Sequence, residues 1–244
     1  MEFILTESEF NEDNTAWNGN RFLMGNGYFG IRGTLEEYTK KQMCAVNMAG
    51  IYDKMGNSWR ESVNAPNPLY TYIKVNGKIY ALPDEKPKFH QQELDFRYGI
   101  HSRVTHWQTE HGNITVVCER FASIARQHNI AMKYTFSVDF DCEAEIITGI
   151  DGDVWDINGP HFVKMKIGSK DGADYVTGMT GEKNISVTVK EYIRTDFQAE
   201  QTNQNTDKSI FRHIKFSAKA EKEYIIEKIA CLLYTSPSPR DISG

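Results

Sequence analysis

The chain has 244 residues, room for one large all-β domain or two small ones. Apolar residues make up 40% and charged residues 25%, the balance of a globular protein, and a net charge of −5 argues against nucleic-acid binding, which needs a basic face. No apolar run approaches the ~20 residues of a membrane helix, and the first five residues lack the charged and long apolar regions of a signal peptide.

Of four cysteines, Cys44, Cys118 and Cys142 precede a divergent tail that holds Cys231. Their spacing is neither a disulfide framework nor a zinc pattern, and a reducing, cytoplasmic compartment is the simplest expectation. His101, His106 and His111 recur at intervals of five, which on a strand places successive rings on opposite faces. No metal site or cofactor is expected.

Residues 22–37 contain Gly25, Gly27, Gly30 and Gly33 interleaved with Tyr28, Phe29, Ile31 and Arg32. Glycine permits sharp bends and positive φ, and the large residues between need a surface to pack on. The spacing predicts a tightly bent strand pair. Gly25, Gly27 and Gly30 also match G-x-G-x-x-G, but only Phe22, Leu23 and Met24 precede them and Gly33 interrupts any following helix, so a nucleotide fingerprint is rejected. Residues 34–38 are the best helix candidate and are too short to matter.

Farther along, Asn76-Gly77 between residues 72–75 and 78–82 predicts a two-residue hairpin, because a type I′ turn needs φ > 0 twice. Ile130, Met132, Tyr134, Phe136, Val138 and Phe140 alternate with smaller or polar residues, the mark of a half-buried strand. Val163, Met165 and Ile167 alternate likewise, as do Ile185, Val187 and Val189, then Ile214, Phe216 and Ala218, and residues 224–230. Long amphipathic helices are absent. The pattern predicts an all-β fold, a large antiparallel β-sandwich, with residues 1–230 as one domain.

The Gly-rich segment resembles the N-terminal signature of glycoside hydrolase family 65, the inverting α-glucoside phosphorylases and their hydrolase relatives. The likeness continues through residues 49–53 (Ala-Gly-Ile-Tyr-Asp), 64–68 (Asn-Ala-Pro-Asn-Pro), 94–99 (Leu-Asp-Phe-Arg-Tyr-Gly) and 149–153 (Gly-Ile-Asp-Gly-Asp). It implies a sandwich of the galactose-mutarotase type followed by a helical linker, an (α/α)₆ barrel and a small C-terminal sheet. It further implies that the catalytic acid and the phosphate-binding residues sit on the barrel, with inorganic phosphate as co-substrate, an α-glucoside disaccharide as substrate and a homodimeric parent. No catalytic residue of the family maps onto this chain.

Residues 231–241 (Cys-Leu-Leu-Tyr-Thr-Ser-Pro-Ser-Pro-Arg-Asp) read as one frame of a transposase-type sequencing adapter. Residues 231–244 are therefore expected to be non-native and to pack as no native element, the sandwich being incomplete at about Ala230.

Asp151, Asp153 and Asp156 suit either a carboxylate pair for acid/base work or a calcium site. The simpler reading is a turn, in which Asp side chains bond to nearby backbone. Asn64 and Asn67 lie in a Pro-stiffened loop after Trp59, Arg60 and Glu61, which suits domain docking or a sugar. Tyr28 and Arg32 are candidates to face the barrel, Arg32 through bidentate pairing, with an ion pair to Glu36 or Glu37 as the alternative. Trp17, Trp107 and Trp155 read as core or interface. A stand-alone carbohydrate-binding or mutarotase-like module is the second functional reading, and would need a His, His161 or His128, beside Glu119.

Overall fold

The computed structural model describes residues 3–235. Strand takes 56% of them and helix 6%, so the all-β expectation holds. The described residues form three antiparallel sheets. The largest has nine strands, in the spatial order Ile4–Glu7, Phe89–Asp95, Ile100–Gln108, Asn113–Ala122, Asn129–Val138, Glu223–Tyr234, Ser186–Thr195, Ala173–Thr180 and Phe162–Lys170. A five-stranded sheet runs Glu200–Asn205, Ile210–Ala218, Cys142–Ile150, Thr71–Val75 and Lys78–Tyr80. A small sheet orders Met24–Gly25, Phe29–Ile31, Val46–Asp53 and Glu61–Asn64.

One core joins the three. Val116, Tyr134, Phe136 and Ile226 enter it from the large sheet, Ile73, Ile146 and Ile214 from the second, and Ile31, Val46 and Val63 from the third. This is why alternation was legible: every second residue of a strand faces the same way, and the inner set is consistently apolar while the outer set is mostly polar, with exceptions such as Phe121, Ile229 and Leu233. Ile130 through Val138 are buried at each alternate position, as are Ile214, Phe216 and Ala218. Val163 departs from the pattern and is 60% exposed. The register shifts between Phe162 and Lys164, and such a bulge moves a side chain to the other face.

The Gly-rich segment forms the expected bent strand pair, with Met24 opposite Ile31 and Gly25 opposite Gly30. Gly27 turns the bend at φ +87°, and a Cβ on Gly33 would stand 2.6 Å from the Phe22 carbonyl. Asn76 and Gly77 turn the expected hairpin at φ 49° and 81°. A short helix, Thr15–Arg21, lies where no periodicity announced one. Its seven residues bury only Asn18 and Gly19, so no apolar stripe existed to be read.

The strand expected over residues 224–230 instead spans Glu223–Tyr234. It runs between Asn129–Val138 and Ser186–Thr195, with Leu232 opposite Val189 and Tyr234 opposite Val187. Leu232 is fully buried. The sequence predicts that residues 231–244 pack as no native element, yet residues 231–234 continue the strand, because Leu232 and Tyr234 carry on the inward alternation whatever their origin. The rest of that expectation concerns residues 236–244, which lie outside the described residues.

Two buried ionic clusters fix the layers. In the first, Glu36 receives Arg103 at 2.8 Å and Arg120 at 2.7 Å, Glu37 receives a fork from Arg103 at 2.6 and 3.1 Å, and Arg120 also donates to the Thr34 carbonyl. In the second, Lys228 pairs with Glu191 at 3.0 Å and donates to the Pro68 and Gly149 carbonyls at 2.8 and 3.2 Å. Lys228 thus clips the Pro-stiffened loop and the 149–156 turn to the large sheet. Burial pushes the Glu191 carboxyl up and the Lys228 ammonium down, each held back by the other.

Burial alone would raise the Glu36 carboxyl, but Arg120 and Arg103 overcome it and hold the pKa at about 2, below its ordinary 4.5. The stabilisation is complete above pH 4.5 and is lost as pH falls towards 2. Glu36→Gln should remove on the order of 3 kcal/mol of pH dependence across that window, read from urea midpoints down the acid limb. Lys228→Met, which strands Glu191, should cost ~3–5 kcal/mol, and Lys228→Met/Glu191→Leu should recover most of it. A double-mutant cycle by denaturant unfolding checks the coupling.

Candidate functional site

The strand Glu61–Asn64, the turn at residues 149–156 and the loop leading into Phe162–Lys170 meet at one edge of the molecule. Two hollows open there and share Trp155 and Asp156 in their walls. One, of about 340 Å³, is lined by Trp59, Arg60, Glu61, Asn64 and Asn47 among others. The other, of about 310 Å³, is lined by Asp153, Lys40 and Lys208, with Phe162 and Met165.

Behind the first hollow lies a cluster of titratable groups. His161 is fully enclosed, with Nε2 2.7 Å from Glu61 Oε1 and Nδ1 3.6 Å from Asp53 Oδ2. Glu61 Oε1 also accepts from the Ile157 and Asn158 amides at 3.1 and 2.7 Å. Asp53 accepts from the Glu182 and Lys183 amides, both at 3.2 Å to Oδ1. Burial raises the Asp156 carboxyl, opposed by His161 and reinforced by Glu61. Gly159 carries no Cβ for a direct reason: one would strike the Asp156 side chain.

Trp59, Arg60, Asn64, Asn67, Asp151, Asp153 and Asp156, all singled out from the sequence, gather here. Trp59 is 59% exposed at the rim. Arg60 spends its guanidinium on a bidentate pair with Glu182, at 3.0 and 2.5 Å. Asn64 is buried, accepts from Asn47 at 2.9 Å and donates to the Trp155 carbonyl. Asn67 and Asp151 form a two-way backbone bridge at 2.7 and 2.9 Å. Asp151 Oδ1 accepts from the Asp153 amide at 3.0 Å and from Ser209 at 2.8 Å, which is the turn reading of that segment. Burial raises the Asp151 carboxyl. Asp153 pairs with Lys40 at 2.6 Å and Lys208 at 2.8 Å, and these outweigh its partial burial to hold its carboxyl below the ordinary range.

Tyr28 and Arg32 lie elsewhere. Tyr28 stacks on Tyr234 at 5.4 Å and meets His128 edge-on at 4.3 Å. Arg32 donates to the Ala16 and Met43 carbonyls at 2.7 and 3.1 Å. The anticipated pairing of Arg32 with Glu36 or Glu37 does not form, because Arg103 and Arg120 hold those carboxylates from the large sheet. Of the tryptophans, Trp107 is core, Trp17 is 61% exposed and Trp155 walls both hollows. His101 is buried and His106 half-buried on the strand Ile100–Gln108, five residues apart and so on opposite faces. His161 does not meet Glu119, which is exposed on the strand Asn113–Ala122, and His128 is exposed against Tyr28.

The pairing of Glu61 with His161, and the part of Asp53, were not legible. The two paired residues are 100 positions apart, and no short motif links them. The one available signal was the run of Asp151, Asp153, Asp156 and His161 within residues 149–161, whereas Asp53 and Glu61 are the lone acidic residues of their segments at 49–53 and 59–64.

Comparison with known proteins accords with this architecture. The family model for the glycosyl hydrolase family 65 N-terminal domain matches residues 5–242. The nigerose phosphorylase of Lachnoclostridium phytofermentans is 51% identical over 166 residues, covering 68% of this chain and 22% of that protein. The 1,2-alpha-glucosylglycerol phosphorylase of Bacillus selenitireducens is 36% identical over 220 residues, covering 89% of this chain and 28% of that protein. A solved structure from the human microbiome, named for kojibiose phosphorylase, superposes with a TM-score of 0.86 at 19% identity, over 99% of this chain and 34% of its own. The chain thus spans between about a fifth and a third of the length of these relatives. It belongs to glycosyl hydrolase family 65, and the part of that family it carries is the N-terminal β-sandwich domain.

Proposed function

We propose that this chain is the non-catalytic N-terminal domain of an inverting α-glucoside phosphorylase. The observation that carries the reading is the family match over residues 5–242 in a chain that spans only 22% and 28% of two relatives named as phosphorylases. The chemistry is assigned to the part of the parent that follows. There, inorganic phosphate attacks the anomeric carbon with inversion while a carboxylic acid protonates the departing oxygen. A water activated by a base takes the place of phosphate in inverting hydrolysis. The parent acts on an α-glucoside disaccharide, in the cytoplasm, as a homodimer.

The geometry of the edge supports a docking role over a catalytic one. Asp151 is tied into its own turn and Asp153 is neutralised by two lysines. General acid catalysis needs a carboxylic acid within hydrogen-bond reach of the leaving oxygen, which a doubly ion-paired aspartate supplies poorly. Trp59, Ile157 and Tyr52 stand 59%, 61% and 51% exposed around the first hollow, an apolar rim suited to a neighbouring domain. The same exposed aromatics beside Asn47, Ser62 and Asn64 are what favour the second reading, a carbohydrate-binding module in its own right.

Incubated with nigerose, kojibiose, maltose or trehalose plus phosphate, the purified chain should release no glucose 1-phosphate. Fused to the remaining portion of the Lachnoclostridium relative, it should release it. Release by the chain alone that vanishes on Asp151→Asn or Asp153→Asn would overturn the assignment. Calorimetric binding of a disaccharide to the chain alone, lost on Trp59→Ala, would establish the binding-module reading instead.

A further inference from the structure

Glu61, Asp156 and His161 each present a ligand-capable atom, and these atoms all lie within 4.8 Å of one another. One imidazole and two carboxylates are a donor set for a divalent first-row ion, and zinc accepts nitrogen and oxygen donors together. Three further features bear on whether the set is more than an ion pair.

The first is charge. Asp53, Glu61 and Asp156 bring three carboxylates together, Asp53 and Glu61 being almost wholly buried. Among the described residues no lysine or arginine comes within 4.0 Å of any of them, and His161 supplies at most one positive charge. The nearby cations are engaged elsewhere: Arg60 and Lys54 at Glu182, Lys208 at Asp153. Backbone amides satisfy oxygens of Glu61 and Asp53 but carry no net charge. Buried carboxylates in such excess are relieved either by taking up a proton or by a cation, and a bound ion would neutralise Glu61 and Asp156 together.

The second is the outer layer. Nε2 of His161 faces Glu61, and the opposite ring nitrogen faces Asp53 at 3.6 Å. A histidine that ligates through one nitrogen usually gives the other N–H to a carboxylate, which fixes its tautomer and orientation. Among the described residues the Nδ1 atom has no other partner. The third is access. Glu61 and Asp156 line the solvent-open hollow, so an ion has a path in and a water has room for the fourth position. Glu61 Oε2 is left with only a 3.5 Å contact to Asn158.

We propose that Glu61, Asp156 and His161 bind a divalent transition ion, zinc in the first instance, at the base of this hollow, with Asp53 orienting His161. Bonds of ~2.0–2.1 Å in a tetrahedron set donor separations of about 3.3 Å. The Glu61–His161 contact of 2.7 Å therefore opens slightly and Asp156 closes in. The ion ties the strand Glu61–Asn64 to the loop at residues 156–161, and so sets the shape of the rim. The site is independent of the phosphorylase assignment, since it uses only residues of this chain.

The test uses the chain of residues 1–244, stripped with EDTA and dialysed against zinc chloride, then cobalt chloride. One equivalent of zinc should survive gel filtration by elemental analysis, and cobalt should give the visible absorption of a low-symmetry site. Asp156→Asn and His161→Gln should each abolish retention, and Asp53→Asn should weaken it ~10–100-fold. Zinc retained equally by Asp156→Asn and His161→Gln would place it on surface histidines and overturn the proposal. So would the absence of any retained metal in the unsubstituted chain. Asp156 is only half-buried, so Asp156→Asn decides the matter if His161→Gln fails to fold, with circular dichroism as the check.

Discussion

The fold depends on the buried contact between Glu36, Glu37, Arg103 and Arg120. Arg103 and Arg120 stand on adjacent strands of the nine-stranded sheet, where Arg120 pairs with His101 and Arg103 with Cys118. The two glutamates come from an irregular stretch that belongs to no sheet. Within it, the Thr34 carbonyl accepts from Arg120, the Glu36 carbonyl accepts from Thr71 at 3.0 Å, and Glu37 accepts from the Leu82 amide at 3.3 Å. One cluster thereby joins the Gly-rich bend, the start of the five-stranded sheet and the inner face of the large sheet. An apolar replacement of like volume can match such a cluster in stability, whereas loss of one member leaves a buried charge uncompensated. The directional fork of Arg103 adds something apolar packing lacks: it fixes how residues 34–37 lie on the sheet.

The edge that carries Trp59, Asn64, Asp151, Asp153 and His161 is built on that frame and on the second ionic cluster. Lys228 reaches from the centre of the large sheet to the Pro68 and Gly149 carbonyls, so the loop and the turn that frame the hollows share one anchor. The Asn67–Asp151 bridge joins the same two segments from the other side. Rigid positioning of this kind is what an interface or a metal site requires, because both lose function when donors drift by about 1 Å. Arg60, tied to Glu182, and Asp153, tied to Lys40 and Lys208, then mark the limits of the edge as ion-paired rather than reactive.

The residues of the proposed site and the structural residues around it differ in how they could be seen. Asn76-Gly77 announces its turn because the conformation it needs is local. The Asp151 turn is local in the same sense, a side chain bonding an amide two residues on. His161 and Glu61 carry no such mark: each is an ordinary polar residue until the sandwich closes and brings the small sheet against the loop ahead of Phe162–Lys170. Arg32 shows the converse. Its place beside Glu36 and Glu37 suggested a pair, yet chain proximity lost to the arginines that the sheet presents across the core.

The sequence by itself determined the fold class, most of the strand pattern, the hairpin at residues 76–77 and the bent Gly-rich pair, because period-two burial and turn geometry are written in neighbouring residues; the family was legible through the resemblance carried by the Gly-rich segment and the four short segments after it. Tertiary structure alone decided which charges meet: Glu36 with Arg103 and Arg120, Lys228 with Glu191, and His161 with Glu61 and Asp53. It also decided that the strand begun at Glu223 continues to Tyr234 and that Val163 turns outward. The reason is the same in each case. A buried charge takes its partner from whatever the closed sandwich sets within reach, and a strand extends for as long as a neighbour offers backbone to pair with, and neither condition is encoded locally.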